Sequence, residues 1–173
     1  MNLVKLIRDV PDFPKQGIIF KDITPLLKNP KGFKSAINQM AKAVAVDENK
    51  KFDKIVAMES RGFIFGPALA LKLKCGFVPI RKKGKLPSKT VREEYQLEYG
   101  TDVLEMHEDA IAKGENILVV DDVLATGGTA KAVCSLIEKL GGKVAGLCFL
   151  IELSFLKPRE KLSVYEIYSL IKY

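Results

Sequence analysis

Apolar positions along this chain fall into two periods. Phe33, Ile37, Met40, Ala41 and Val44 recur at helical spacing and predict an amphipathic helix from residue 31 to about 46. Asn29-Pro30 supplies its start, an N-cap residue followed by proline in the first turn. Residues 54–58 are a short apolar run and predict a buried strand, ended by Glu59-Ser60-Arg61-Gly62. Residues 63–74 are apolar nearly all round and predict a buried helix. Further strands are predicted over 77–80, 116–120, 144–151 and 165–170. Residues 95–99 and 102–107 flank Gly100-Thr101 and predict a hairpin. A helix over 129–140 is stopped by Gly141-Gly142. Residues 11–30 carry Pro11, Pro14, Gly17, Pro25 and Pro30, and predict an irregular flap broken by Ile18-Ile19-Phe20.

Short apolar strands alternating with helices predict an α/β fold, a mainly parallel central sheet with helices on both faces. No repeat, low-complexity tract or linker divides the chain, so a single domain over 1–173 is expected. In such sheets ligands bind beyond the carboxyl ends of the strands. Three chemically distinctive segments fall at strand ends: 59–62, 81–85 and 121–129.

Composition narrows the class. A chain of 173 residues buries roughly 70% of its extended surface and needs no staple. Cys75, Cys134 and Cys148 are far apart in apolar surroundings and read as reduced thiols. The charged N-terminus predicts no signal peptide, the longest apolar run is far short of a membrane span, and a cytoplasmic location is expected. The net charge of +7 fits nucleic acid or a small polyanion. Its distribution matters more: Arg81, Lys82, Lys83, Lys85, Lys89 and Arg92 crowd one loop, 81–92, that contains glycine and proline.

The richest segment is Val119-Val120-Asp121-Asp122-Val123-Leu124-Ala125-Thr126-Gly127-Gly128-Thr129. An acidic pair alone is a strand end facing water, and two glycines alone are a turn. Joined, they make a set: carboxylates that accept hydrogen bonds from a sugar diol, and a glycine loop at a helix N-terminus that wraps an anion. Thr126 and Thr129 add hydroxyl donors. No Lys-Ser/Thr follows the glycines and the pattern is not GxGxxG, so the usual supports for ATP hydrolysis and dinucleotide binding are missing.

Val119 to Thr129 resembles the phosphoribosyl-diphosphate signature of type I phosphoribosyltransferases. Asp12-Phe13-Pro14 with Gly17-Ile18-Ile19-Phe20-Lys21-Asp22-Ile23 is similar to the N-terminal element of the adenine-specific branch. So are Glu59-Ser60-Arg61-Gly62-Phe63, Arg81-Lys82-Lys83-Gly84-Lys85-Leu86-Pro87 and Leu97-Glu98-Tyr99-Gly100. The resemblance implies a type I phosphoribosyltransferase fold with an N-terminal hood over 1–30 and a lid loop and hairpin over 81–107. It implies transfer from 5-phospho-α-D-ribose 1-diphosphate to adenine, giving AMP and diphosphate in purine salvage, with Mg²⁺. The 5-phosphate would lie on Ala125, Thr126, Gly127, Gly128 and Thr129, and the ribose hydroxyls on Asp121 and Asp122. Glu59, Ser60, Arg61, Arg81, Lys82 and Lys85 would serve the diphosphate, with a non-proline cis bond at Glu59-Ser60. Glu98 would be the acid/base group at the purine N7. Phe20 would stack on adenine while backbone groups of Ile19 and Lys21 read its edge; Lys21 stands where the family often has arginine. The ion would be held by substrate oxygens, with at most water-mediated contact to Asp121 and Asp122, and a homodimer is implied.

Two alternatives compete: a regulator of the same fold that uses its basic surface on nucleic acid, and the same chemistry on another purine such as xanthine. The chain carries no helix-turn-helix pattern, and the adenine-type N-terminal element opposes the second. His107, the one histidine, has no Cys or His cluster to join and reads as an ordinary partly exposed side chain.

Overall fold

Strand β3 (Lys54–Met58) lies at the centre of a seven-stranded sheet. In this computed structural model the described residues are 1–45, 51–96 and 100–173. The other elements of the sheet follow in order: α3 (Gly62–Leu73), β4 (Gly76–Lys82), β5 (Thr90–Gln96), β6 (Thr101–His107), β7 (Asn116–Leu124), α4 (Gly128–Lys139), β8 (Lys143–Glu152), the short α5 (Pro158–Lys161) and β9 (Ile167–Lys172). The strand order is β5-β6-β4-β3-β7-β8-β9. Strands β4, β3, β7, β8 and β9 pair in parallel, and the β5–β6 hairpin adds antiparallel along β4.

Alternation along the strands decides which helix covers which face. Val56, Met58, Val78, Ile80, Val119, Leu147 and Phe149 pack with Ala132, Val133, Leu136 and Ile137 of α4. The intervening Ala57 and Phe77 approach Gly66 of α3 on the other face. Helices thus flank both faces, and strands buried on two sides read as the continuous apolar runs seen in the sequence.

The chain divides into two compact units, Met1–Gln39 and Met40–Tyr173. The first contains an antiparallel pair, β1 (Arg8–Pro11) with β2 (Ile19–Asp22), a short helix α1 (Thr24–Leu27), and the start of α2 (Pro30–Val44). The expected flap is therefore partly a hairpin. Asn29 caps α2 as expected, its Oδ1 accepting from the Gly32 amide at 2.9 Å.

Two of the boundaries that differ from expectation bear on the strand ends. Strand β7 does not end before the carboxylates but runs through Asp121 and Asp122 to Leu124, because β8 is long enough to pair with it as far as Glu152. The basic loop is shorter than 81–92. Arg81 and Lys82 belong to β4, and Thr90 to Arg92 to β5, which leaves a connection of 83–89. Five of the seven residues of β5 are polar or charged, which hid the strand before Tyr95; its Val91, Glu93 and Tyr95 turn inward while Arg92, Glu94 and Gln96 are exposed.

Candidate functional site

The sheet changes winding direction between β3 and β7: the chain leaves β3 for β4 on one side, while β7 lies on the other. A crevice opens there beyond the carboxyl ends of the strands. Among the described residues, two recesses lie in it. One, of about 230 Å³, is lined by Arg61, Asp121, Ala125, Thr126, Gly127 and Thr129 among others. The second, of about 280 Å³, is lined by Glu59, Ser60, Arg61, Lys82, Tyr95, Asp121, Asp122 and Thr129. Segments 59–61 and 121–129 are thus brought together as expected.

Gly127 shows why the 125–129 loop needs glycine. Its φ is +81°, and a Cβ there would stand 3.0 Å from the Pro158 carbonyl oxygen. The loop leads directly into α4, whose N-terminus has no side-chain cap. First-turn amides of a helix are groups that can bind an anion.

The two carboxylates sit beside the Arg61 cation, Asp122 buried and Asp121 half-buried at the surface of the recess. Asp122 is 1% exposed and its Oδ2 lies 3.0 Å from Arg61 Nε. Asp121 Oδ1 accepts from the Asp122 amide at 2.9 Å. Burial, then the neighbouring Asp122 charge, pushes Asp121 well above the usual carboxylate value. Burial also raises Asp122, against the pull of Arg61. A pair of this kind gains from partners that donate hydrogen bonds, such as adjacent hydroxyls.

The Glu59–Ser60 peptide bond is cis. Glu59 Oε2 accepts from Arg81 Nε at 2.6 Å, and its Oε1 from the Lys82 amide at 3.2 Å. Burial acts to raise the Glu59 carboxyl, but these bonds outweigh it and hold it below the usual value. Arg81 Nη1 also donates to the Lys85 carbonyl at 3.4 Å, which ties the 83–89 connection to this end of β4. Lys82 Nζ sits 3.1 Å from Asp102 Oδ2, and the hydrogen bond to Asp102 holds the Lys82 ammonium above its ordinary value.

Tyr95 and Asp102 went unnoticed in the sequence. The Tyr95 hydroxyl lies 3.5 Å from Asp102 Oδ2 and also engages Thr129, so β5 reaches the start of α4. The only trace was the inward alternation of Val91, Glu93 and Tyr95. Glu93 continues the seam, accepting from Ser135 Oγ at 3.0 Å and pairing with Lys139.

Glu98 lies outside the described residues. Ile19, Phe20 and Lys21 lie in β2 of the N-terminal unit. There Phe20 meets Phe13 edge to face at 5.2 Å, and Lys21 Nζ pairs with Asp9 at 2.7 Å. That salt bridge gives the Lys21 side chain a cross-strand role, since Asp9 and Lys21 are register partners. His107 lines a separate cavity with Lys54 and Phe77. Among the described residues no group of three or more His, Cys, Asp or Glu is placed to hold a metal ion, and no helix is long and apolar enough to cross a membrane.

The phosphoribosyl transferase domain family model matches residues 23–171. An adenine phosphoribosyltransferase of Pseudothermotoga lettingae is 61% identical over 173 residues, covering all of both chains. One of Thermotoga sp. strain RQ2 is 60% identical over the same span. The crystal structure of adenine phosphoribosyltransferase from Thermoanaerobacter pseudethanolicus superimposes with a TM-score of 0.95 at 55% identity, covering 99% of this chain and 98% of that one. The enzyme from Saccharomyces cerevisiae, crystallised with D-2,5-dideoxy-2,5-imino-altritol 1,6-bisphosphate and adenine, gives 0.91 at 43% identity over 97% and 96%.

Proposed function

The chain belongs to the phosphoribosyl transferase family, and from that premise we propose that it is an enzyme joining adenine to 5-phospho-α-D-ribose 1-diphosphate, with AMP and diphosphate as products, in purine salvage. The observation that carries this reading is the crevice between β3 and β7. It sets a glycine cradle, a buried acidic pair and Arg61 around two adjoining recesses. That is room for one ligand with a phosphate at one end, a diol in the middle and a second anionic group beside the cations.

The 5-phosphate rests on the amides of Ala125 to Thr129, with Thr126 and Thr129 hydroxyls donating. The ribose 2- and 3-hydroxyls donate to Asp121 and Asp122, which returns partners to carboxylates that burial has left unfavourable. Arg61, Arg81, Lys82 and Lys85, with the Ser60 amide, draw on the departing diphosphate. Glu59 holds Arg81 in place. Adenine attacks C1 through N9 as the C1–O bond breaks with its electron pair going to diphosphate; Glu98 hydrogen-bonds N7, and the N9 proton passes to the departing diphosphate. The purine is read by Ile19 and Lys21 backbone groups and stacked by Phe20. The basic connection 83–89 and the β5–β6 hairpin act as a lid that keeps water from the ribosyl centre.

Mg²⁺ is the proposed cofactor. Two carboxylates are too few for an all-protein cage but suit an ion that keeps waters and takes substrate oxygens, with Asp121 and Asp122 as its outer contacts. It supplies neutralisation of the diphosphate charge. A cytoplasmic homodimer is proposed with the reaction, and light scattering checks the second of these.

The test is AMP formation with Mg²⁺ and four bases. Adenine is expected to turn over, with guanine, hypoxanthine and xanthine far behind; no AMP, or equal use of the bases, refutes the reading. Glu98→Gln is expected to lower turnover more than it weakens the diphosphate substrate.

A further inference from the structure

We propose that Arg159 is a positioning residue for the 125–129 cradle, acting through Glu152 and Pro158; this rests on the reading that the cradle takes the 5-phosphate. The argument begins with the back of the loop. One side of Ala125 to Gly127 lines the recess. On the other, Pro158 and Leu162 stand against Gly127: a Cβ there would lie 3.0 Å from the Pro158 carbonyl oxygen and 3.5 Å from Leu162 Cδ1. The loop therefore leans on α5, a single helical turn that cannot hold itself in place.

Besides the burial of Pro158 and Leu162, an ion pair ties α5 to the sheet. Arg159 Nε and Nη2 donate to Glu152 Oε1 and Oε2, each at 2.8 Å. Nη2 also donates to the Ile167 carbonyl of β9 at 3.3 Å. This two-point fork fixes direction as well as distance, which an ammonium would not do. Glu152 is 2% exposed, so it needs a partner where it stands. It is also the register partner of Leu124, the last residue of β7, and the Leu153 amide donates to the Leu124 carbonyl at 2.9 Å.

A ring closes: Leu124 to Glu152 across the sheet, Glu152 to Arg159 by the fork, then Pro158 to Gly127, and back along the loop to Leu124. The strand end and the far side of the cradle are tied to one carboxylate. Amides meant for a phosphate must be in place before it arrives, because a loop that orders on binding loses affinity in doing so. Arg159 touches no substrate; it sets the backbone that does.

Two variants test this, Arg159→Met and the double variant Glu152→Leu/Arg159→Met. The second leaves no unpaired buried carboxylate, so its fold is expected to persist, checked by thermal unfolding. Both are expected to raise KM for the diphosphate substrate and Kd for AMP by about tenfold or more. KM for adenine and kcat at saturating substrate are expected to stay near the parent values, which general loosening would not spare. A folded double variant with unchanged KM and AMP affinity overturns the proposal, as does an equal loss in kcat. Thr129→Ala separates the two layers. If it weakens AMP while the Arg159 variants do not, only the positioning role fails; if it leaves AMP unaffected, the cradle assignment falls and the positioning role with it.

Discussion

Replacing Gly127 with alanine is expected to destabilise this protein by about 2–5 kcal/mol, in two separable parts. The first is conformational. Gly127 has φ +81°, where an L side chain costs about 1–2 kcal/mol. The second is steric. The new Cβ would lie 3.0 Å from the Pro158 carbonyl oxygen, a backbone atom rather than a flexible side-chain tip. Pro158 is buried, Leu162 beyond it is fully buried and Arg159 is forked to Glu152. Overpacking of this kind costs about 1–3 kcal/mol. Gly114 provides the control: its φ is +86° and nothing lies within 4 Å of its Cβ position. Gly114→Ala carries the conformational part alone, and the smaller freedom of alanine in the unfolded chain applies to both sites. The difference between the two variants in urea unfolding, at unchanged slope, isolates the contact at about 1–3 kcal/mol. For a chain of this size that corresponds to roughly 2–4 °C of melting temperature per kcal/mol. Gly127→Ala is also expected to raise KM for the phosphorylated substrate, while Gly114→Ala leaves it alone. If the two variants lose equal stability, the Pro158 carbonyl yields freely and the brace reasoning is refuted.

Other consequences concern charge and thiols. Asp121 is raised in the folded protein, so its ionisation opposes folding as pH climbs above the unfolded value. Asp121→Asn is therefore expected to raise the urea midpoint at pH 7, make little difference near pH 3, and abolish activity; destabilisation at pH 7 would contradict the burial argument. Glu152 is shifted the other way, held low by its hydrogen bonds to Arg159. Its contribution is complete above about pH 4.5, the unfolded value, and is lost as pH falls through the folded one. Parent protein is thus expected to lose more stability on acidification below pH 4.5 than Glu152→Leu/Arg159→Met does, read by unfolding across pH. Burial pushes the Cys134 and Cys148 thiols up to about 12, whereas Cys75 is only half-buried. A thiol reagent is expected to modify at most Cys75 in native protein and all three cysteines in urea; native reaction at Cys148 would show that the sheet opens.

Most strands and helices were legible because their apolar period is a local property. Residues 54–58 and 102–107 are strands as read, and the helices predicted over 31–46, 63–74 and 129–140 moved by two residues or fewer at either end. The glycine loop at 125–129 and the Asp121-Asp122 pair were legible as segments for the same reason: each is a run of neighbouring residues whose type can be read without knowing what lies opposite. Of strand β5 only Tyr95 and Gln96 were legible, as the start of the hairpin strand expected over 95–99, whose residues 97–99 lie outside the described residues; residues 90–94 were not, because the inward face of Val91, Glu93 and Tyr95 makes sense only once α4 presents Thr129, Ser135 and Lys139 to it. Nor was the true end of β7, which is set by the length of β8.

Local chemistry thus specified which residues bear charge, hydroxyls or free amides, and the order in which strands and helices follow one another. Pairing across the sheet then settled that Asp121 and Asp122 lie inside a strand, that Arg61 faces Asp122, and that Glu152 and Arg159 meet behind Gly127. Such meetings depend on register between segments separated along the chain. A fork between a glutamate and an arginine seven positions apart on a strand and a single helical turn leaves no periodic mark. Its meaning comes from Leu124, twenty-eight positions earlier, being the neighbour across the sheet.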